Sequence, residues 1–227
     1  MADHLSDEEQ LQVLKNWWSE NGRFLIGAIA IGLTAYFGWQ WWTQYQKDYS
    51  EGAAAIYTDL SETVATANGE DLTEEQQKTA QFLIEQLQSD YENTLYAANA
   101  SMLAAKLAVE KDDLPTAESE LKKALHYNDE DVNTIASLRL AKVYLAQEKY
   151  DEALVMATYD KNDAFAATYA VLRGDVLLAK GDIELARNAY QQAMGLLTAN
   201  PVDRNSGLQR QLLEVKLSNL PAVGDQS

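Results

Sequence analysis

Cysteine is absent from the 227 residues, proline occurs 3 times and glycine 11 times. The lack of cysteine removes disulfides, thiol nucleophiles, iron–sulfur clusters and cysteine zinc sites together. With so few prolines and glycines, and an abundance of Ala, Leu, Glu, Gln and Lys, the composition favours helix almost throughout. Histidine is scarce as well: His4 and His126 stand far apart and offer little material for imidazole catalysis or a histidine metal cluster. Positive charge is also short. Against 35 Asp and Glu there are 18 Lys and Arg, a net charge of −17, and such a surface repels nucleic acid.

Chemical motifs are missing too. The chain has no phosphate loop, dinucleotide glycine fingerprint, H-E-x-x-H or G-x-S-x-G. Asp129, Asp131 and Asn133 mimic the first half of a calcium loop, but Thr134 stands where glycine is needed and Leu140 where the bidentate glutamate belongs. Helix capping accounts for them better. No feature favours an enzyme, and no cofactor or metal is expected.

One long apolar run is present. Apolar residues make up 47% of the chain, yet the mean hydropathy is −0.34, which places one very hydrophobic stretch in an otherwise polar, acidic chain. Phe24 to Trp42 reads FLIGAIAIGLTAYFGWQWW, without a charge, and at 1.5 Å per residue it spans roughly 28 Å, close to a bilayer core. Trp17 and Trp18 precede it, and Trp39, Trp41, Trp42 and Tyr45 crowd its far end, as aromatic rings do at membrane interfaces. The acidic leader, the length of the run and WQWW in place of a small-residue cleavage site predict an uncleaved anchor rather than a signal peptide. Lys15 and Arg23 before the span, against Lys47 after it, favour an inside N-terminus. Ala30, Thr34 and Gly38 form a stripe of small residues along which another membrane helix can pack. Upstream, Ser6 and Glu9 have capping-box spacing and open a short amphipathic helix that Gly22 is expected to end.

The rest of the chain reads as antiparallel helix pairs, near 45–67, 74–90, 94–111, 114–127, 131–147, 150–158, 163–180, 182–197 and 206–219. From Gly174 to Met194, Gly174, Gly181, Ala186, Tyr190 and Ala193 lie at the offsets of a tetratricopeptide repeat. Small residues at 174 and 186 permit close helix contact, and Gly181 makes the turn. Leu140, Ala141, Tyr144 and Ala153 repeat the pattern, as do Ala105, Ala108, Ala117, Leu121 and Ala124, with a period of 33 to 36. The second copy has Glu148 in place of the turn glycine, and its final helix is cut short near Asp160. The predicted fold class is therefore all-α: one N-terminal transmembrane helix, then a tetratricopeptide-like helical solenoid with divergent ends at 45–90 and 206–219.

The motif Lys15-Asn16-Trp17-Trp18 with Glu20-Asn21-Gly22 before the span, and Leu138-Arg139-Leu140-Ala141 and Leu172-Arg173-Gly174 in the repeats, resemble the YfgM family of bacterial inner-membrane proteins. That resemblance covers essentially the whole chain. It implies a non-enzymatic ancillary subunit of the SecYEG translocon that associates with the periplasmic chaperone PpiD and helps pass translocated polypeptides to periplasmic chaperones. It further implies a cytoplasmic segment at 1–23, a span through the lipid bilayer of the inner membrane at 24–42, and a periplasmic domain at 43–227. The second reading is a membrane-anchored scaffold or assembly factor for a different cell-envelope complex, and a cytoplasmic-facing regulator is the third. Aligning the repeats on Ala105, Ala141 and Gly174 projects Met102, Lys106 and Val109, then Leu138, Lys142 and Leu145, then Val171, Asp175 and Leu178, towards the concave side. These nine are the candidate partner- and client-binding residues.

Overall fold

Alanine-rich segments punctuated by capping residues fold as helices, and the computed structural model consists of them: it describes residues 7–65, 72–127, 129–158, 164–199 and 206–221, with no strand among them. The helices are α1 (Asp7–Ala65), α2 (Glu74–Asp90), α3 (Leu95–Glu110), α4 (Leu114–Leu125), α5 (Glu130–Ala146), α6 (Tyr150–Met156), α7 (Ala166–Lys180), α8 (Ile183–Ala199) and α9 (Ser206–Ser218). Their starts are chemically marked. The Thr73 hydroxyl accepts from the Gln76 amide while the Gln76 side chain accepts from the Thr73 amide, a full capping box. Thr94, Asp113 and Asp129 accept from the third amide of α3, α4 and α5, so Asp129 is a cap. His126 ends α4, its Nδ1 2.7 Å from the Lys122 carbonyl.

The chain divides into two units, Met1–Gly52 and Ala53–Ser227. In the first, the expected stop at Gly22 does not occur. The Trp18 ring covers Gly22 so closely that an added Cβ would lie 3.1 Å from it; the glycine seats an aromatic ring within α1 instead of ending a helix. The segments expected at the N-terminus, through the apolar run and from residue 45 are accordingly all assigned to α1. Ser6 lies outside the described residues. From Phe24 to Trp42 the large side chains stand exposed, Phe24 at 86% and Ile31 at 73%, and α1 is long and apolar enough to cross a membrane. Trp41, Tyr45 and Tyr49 stack in sequence along one face at 5.8 and 6.2 Å.

In the second unit, α3 pairs with α4, α5 with α6 and α7 with α8, while α3 also meets α5 and α5 meets α7. This is the tetratricopeptide arrangement. The repeat positions read from the sequence form its interior: Ala105, Ala117, Leu121, Ala124, Leu140, Ala141, Ala153, Ala186, Tyr190 and Ala193 are all 1% exposed or less. Ala53 and Leu60 pack with Ala80, Ile84, Leu87 and Ala100 at the front, and Leu213 and Leu220 pack against α8 at the rear.

Two details lay beyond the repeat pattern. The turn residues Asp112 (φ 59°), Glu148 (φ 61°) and Gly181 (φ 93°) are all left-handed, 36 and 33 positions apart, so two side chains occupy a conformation that favours glycine. Secondly, Glu118 bridges repeats: Lys122 Nζ and Lys149 Nζ donate to its carboxylate at 2.6 and 2.7 Å, and both ammonium groups lie over the Tyr144 ring at 5.8 and 5.6 Å. Lys122, then Lys149, hold the Glu118 carboxyl at about 2, against an ordinary 4.5, despite the opposing effect of burial.

Glu148→Gly relieves the left-handed strain, and chemical denaturation of the 53–227 domain is expected to show a gain of about 1 kcal/mol. Gly174→Ala has the opposite sign. An added Cβ there would lie 2.4 Å from Tyr190 Cε1, and the overpacking costs roughly 1–3 kcal/mol. For Glu118, whose folded value is depressed, the stabilisation is complete above 4.5 and is lost as pH falls through about 2. Glu118→Gln is therefore expected to cost roughly 1 kcal/mol at neutral pH. Urea titrations of both proteins between pH 6 and about 2 should show that difference shrinking as acid is added.

Candidate partner-binding groove

A groove of about 460 Å³ runs between α3 and α5. Ala105, Lys106, Val109 and Glu110 line it from α3, Arg139, Lys142, Val143 and Ala146 from α5, and Leu114 and Leu121 of α4 complete it. The helical spacing explains the lining: 105, 106 and 109 fall on one face of α3, and 139, 142, 143 and 146 on one face of α5. Its surface is apolar beneath and charged at the edge. Val143 and Leu121 are buried, while Lys106, Lys142, Arg139 and Val109 are exposed.

Of the nine residues projected to the concave side, Lys106, Val109 and Lys142 come together in this groove. Met102 and Leu138 do not offer a surface. They are 6% and 8% exposed and belong to the same apolar core, because the neighbouring repeat covers that side of each helix. Leu145 and Val171 are half-buried and Leu178 is exposed.

Asp175 has an internal partnership. It accepts a hydrogen bond from the Tyr190 hydroxyl at 2.7 Å and pairs with Lys216, whose Nζ also lies 5.6 Å from the Tyr190 ring centre. Burial, reinforced by the Asp175 carboxylate, pushes the Tyr190 phenol well above its usual range, so it remains a donor. The triad ties α7, α8 and α9 together.

Arg139 and Glu110 were not among the projected residues. The signal for Arg139 was present in sequence, since Arg139 and Arg173 each follow a buried leucine, Leu138 and Leu172, 34 positions apart. Of the membrane stripe, Thr34 donates its hydroxyl to the Ala30 carbonyl at 2.8 Å, and a Cβ at Gly38 would meet nothing within 4 Å. Among the described residues no group of acidic or histidine side chains is arranged to hold a metal ion.

Proteins of similar sequence are known over nearly the whole of this chain. A family model for a tetratricopeptide repeat-like domain matches residues 15–222. The ancillary SecYEG translocon subunit of Haemophilus influenzae is 35% identical, with 97% of this chain and all of that protein aligned. The protein of the same name from Aggregatibacter actinomycetemcomitans is 34% identical over 97% of this chain and all of its own length. Its namesake in Escherichia coli K12 is 29% identical over 84% of this chain and 88% of its own. With the repeat positions buried as that fold requires, and the similarity running through both units, this chain is a member of the tetratricopeptide repeat-like family to which those ancillary translocon subunits belong.

Proposed function

We propose that this chain is a non-enzymatic ancillary subunit of the SecYEG translocon, held in the bacterial inner membrane by residues 24–42, with residues 1–23 cytoplasmic and 43–227 periplasmic. The observation that carries this reading is the end-to-end similarity to proteins bearing that name, apolar segment included. The repeat domain associates with PpiD and with translocated polypeptides, and helps pass them to periplasmic chaperones. A helical solenoid supplies a groove for a polypeptide, and an anchor beside a protein channel raises the groove's local concentration near emerging chains.

The contact surface centres on Lys106, Val109 and Lys142, extended by Leu145, Val171 and Leu178, which remain at least partly accessible. Met102 and Leu138 shape the helices beneath it, and Asp175 supports it through its bond to Tyr190. Within the bilayer, the Ala30, Thr34 and Gly38 stripe packs on a partner helix, since Thr34 has satisfied its hydroxyl internally and Gly38 leaves open space.

Purification of the full chain in a mild detergent is expected to recover SecY and PpiD. Val109→Glu with Leu178→Glu, both at exposed positions, should lower PpiD recovery at least roughly fivefold with an unchanged circular dichroism spectrum. Wild-type recovery by the folded double variant would remove this face from the model, and recovery of a different envelope complex would favour the assembly-factor reading. Orientation has its own measurement: Gly207→Cys is expected to react with an impermeant maleimide once the outer membrane is opened, and Ser6→Cys is expected to stay protected.

A further inference from the structure

Positive charge in this protein is scarce, and part of it is held in close ion pairs. Lys78, Lys122, Lys123, Lys149 and Lys180 each lie 2.6–2.7 Å from a carboxylate oxygen. The cations of the α3–α5 groove are not held that way. Lys142 makes no ion pair among the described residues. Among the described residues Arg139 reaches only the Met102 carbonyl, at 3.5 Å, and Lys106 stands 3.5 Å from Glu110 with both side chains more than half exposed. Three weakly engaged cations and one carboxylate thus edge an apolar groove, in a chain whose net charge is −17. Distance decides which charge a ligand feels. Beyond roughly 8 Å in physiological salt the surrounding acidic surface is screened, whereas Lys106, Arg139 and Lys142 act at contact.

We infer that this groove selects polypeptide segments in which an apolar side chain is flanked by aspartate or glutamate. The apolar side chain is buried against Ala105, Val109 and Val143, and the flanking carboxylates meet Lys106, Arg139 and Lys142 at the edge. This assignment rests on the reading of the groove as a polypeptide-binding surface and adds its charge preference. The match is electrostatic rather than a fixed sequence code, so it suits a protein that meets many different chains.

Three fluorescent peptides with one central apolar trio, flanked by Asp and Glu, by Ser and Gln, or by Lys, are titrated against the full chain in a neutral detergent. The acidic peptide is expected to bind about fivefold tighter than the neutral one, and the basic peptide more weakly than either. The preference should shrink in 0.5 M salt and invert in Lys106→Glu with Lys142→Glu, both at exposed positions. Val109→Glu reads the groove itself and should weaken all three peptides. Equal affinities that Val109→Glu still lowers would overturn the charge preference and leave the groove standing. No binding, or binding indifferent to Val109→Glu, would overturn the groove and this inference with it. An acidic preference that survives the double reversal places the cations elsewhere and equally sinks the assignment.

Discussion

Two helices approach closely only where the side chain between them is short, and the solenoid depends on meeting that condition at regular intervals. Ala105 with Ala117, Ala141 with Ala153, and Gly174 with Ala186 occupy the same two positions of successive repeats, 36 and 33 residues apart, and all are buried. Leu121, Ala157 and Tyr190 are repeat equivalents, and the largest of them faces the one glycine, where a methyl group would collide with its ring. The Tyr190 ring fills the space that the missing Cβ of Gly174 leaves, as close-packed interiors require. The Tyr190 hydroxyl, left at the edge of that contact, finds Asp175, and Asp175 in turn holds Lys216. A polar tie between three helices follows from one missing Cβ.

Because small residues and caps are local features, most of α2 to α9 could be read from the chain. The expected 74–90 helix is α2 as observed, and the ends of α3 to α9 lie within a few residues of expectation. What resisted reading depends on neighbours. Gly22 has the propensity of a helix stop, but propensity is overridden when the Trp18 ring covers it. Glu148 replaces the turn glycine in composition and not in geometry, since the turn keeps its left-handed residue. Met102 and Leu138 lie at concave-side positions by helical angle, yet the adjacent repeat buries them. Arg139 follows Leu138 as Arg173 follows Leu172, but its place in the groove shows only once α3 lies beside α5. Asn68-Gly69 and Asn200-Pro201, turn-forming pairs that mark breaks between helices in the sequence, lie outside the described residues.

The seven residues of α6 set it apart from its counterparts α4 and α8, which have 12 and 17. It begins at Lys149 without a side-chain cap, directly after the left-handed Glu148, and among its residues Ala153 is the buried one. In a stack where each repeat contacts only its neighbours, cooperativity passes along the chain one interface at a time. A short second helix gives the middle repeat less surface through which to pass that cooperativity on. Ala153 and Ala157 still tie it into the apolar core that also holds Leu121, while Tyr190 belongs to a second core. The Tyr169 hydroxyl, donating to the Thr134 carbonyl at 2.9 Å, joins α7 to α5 without passing through α6.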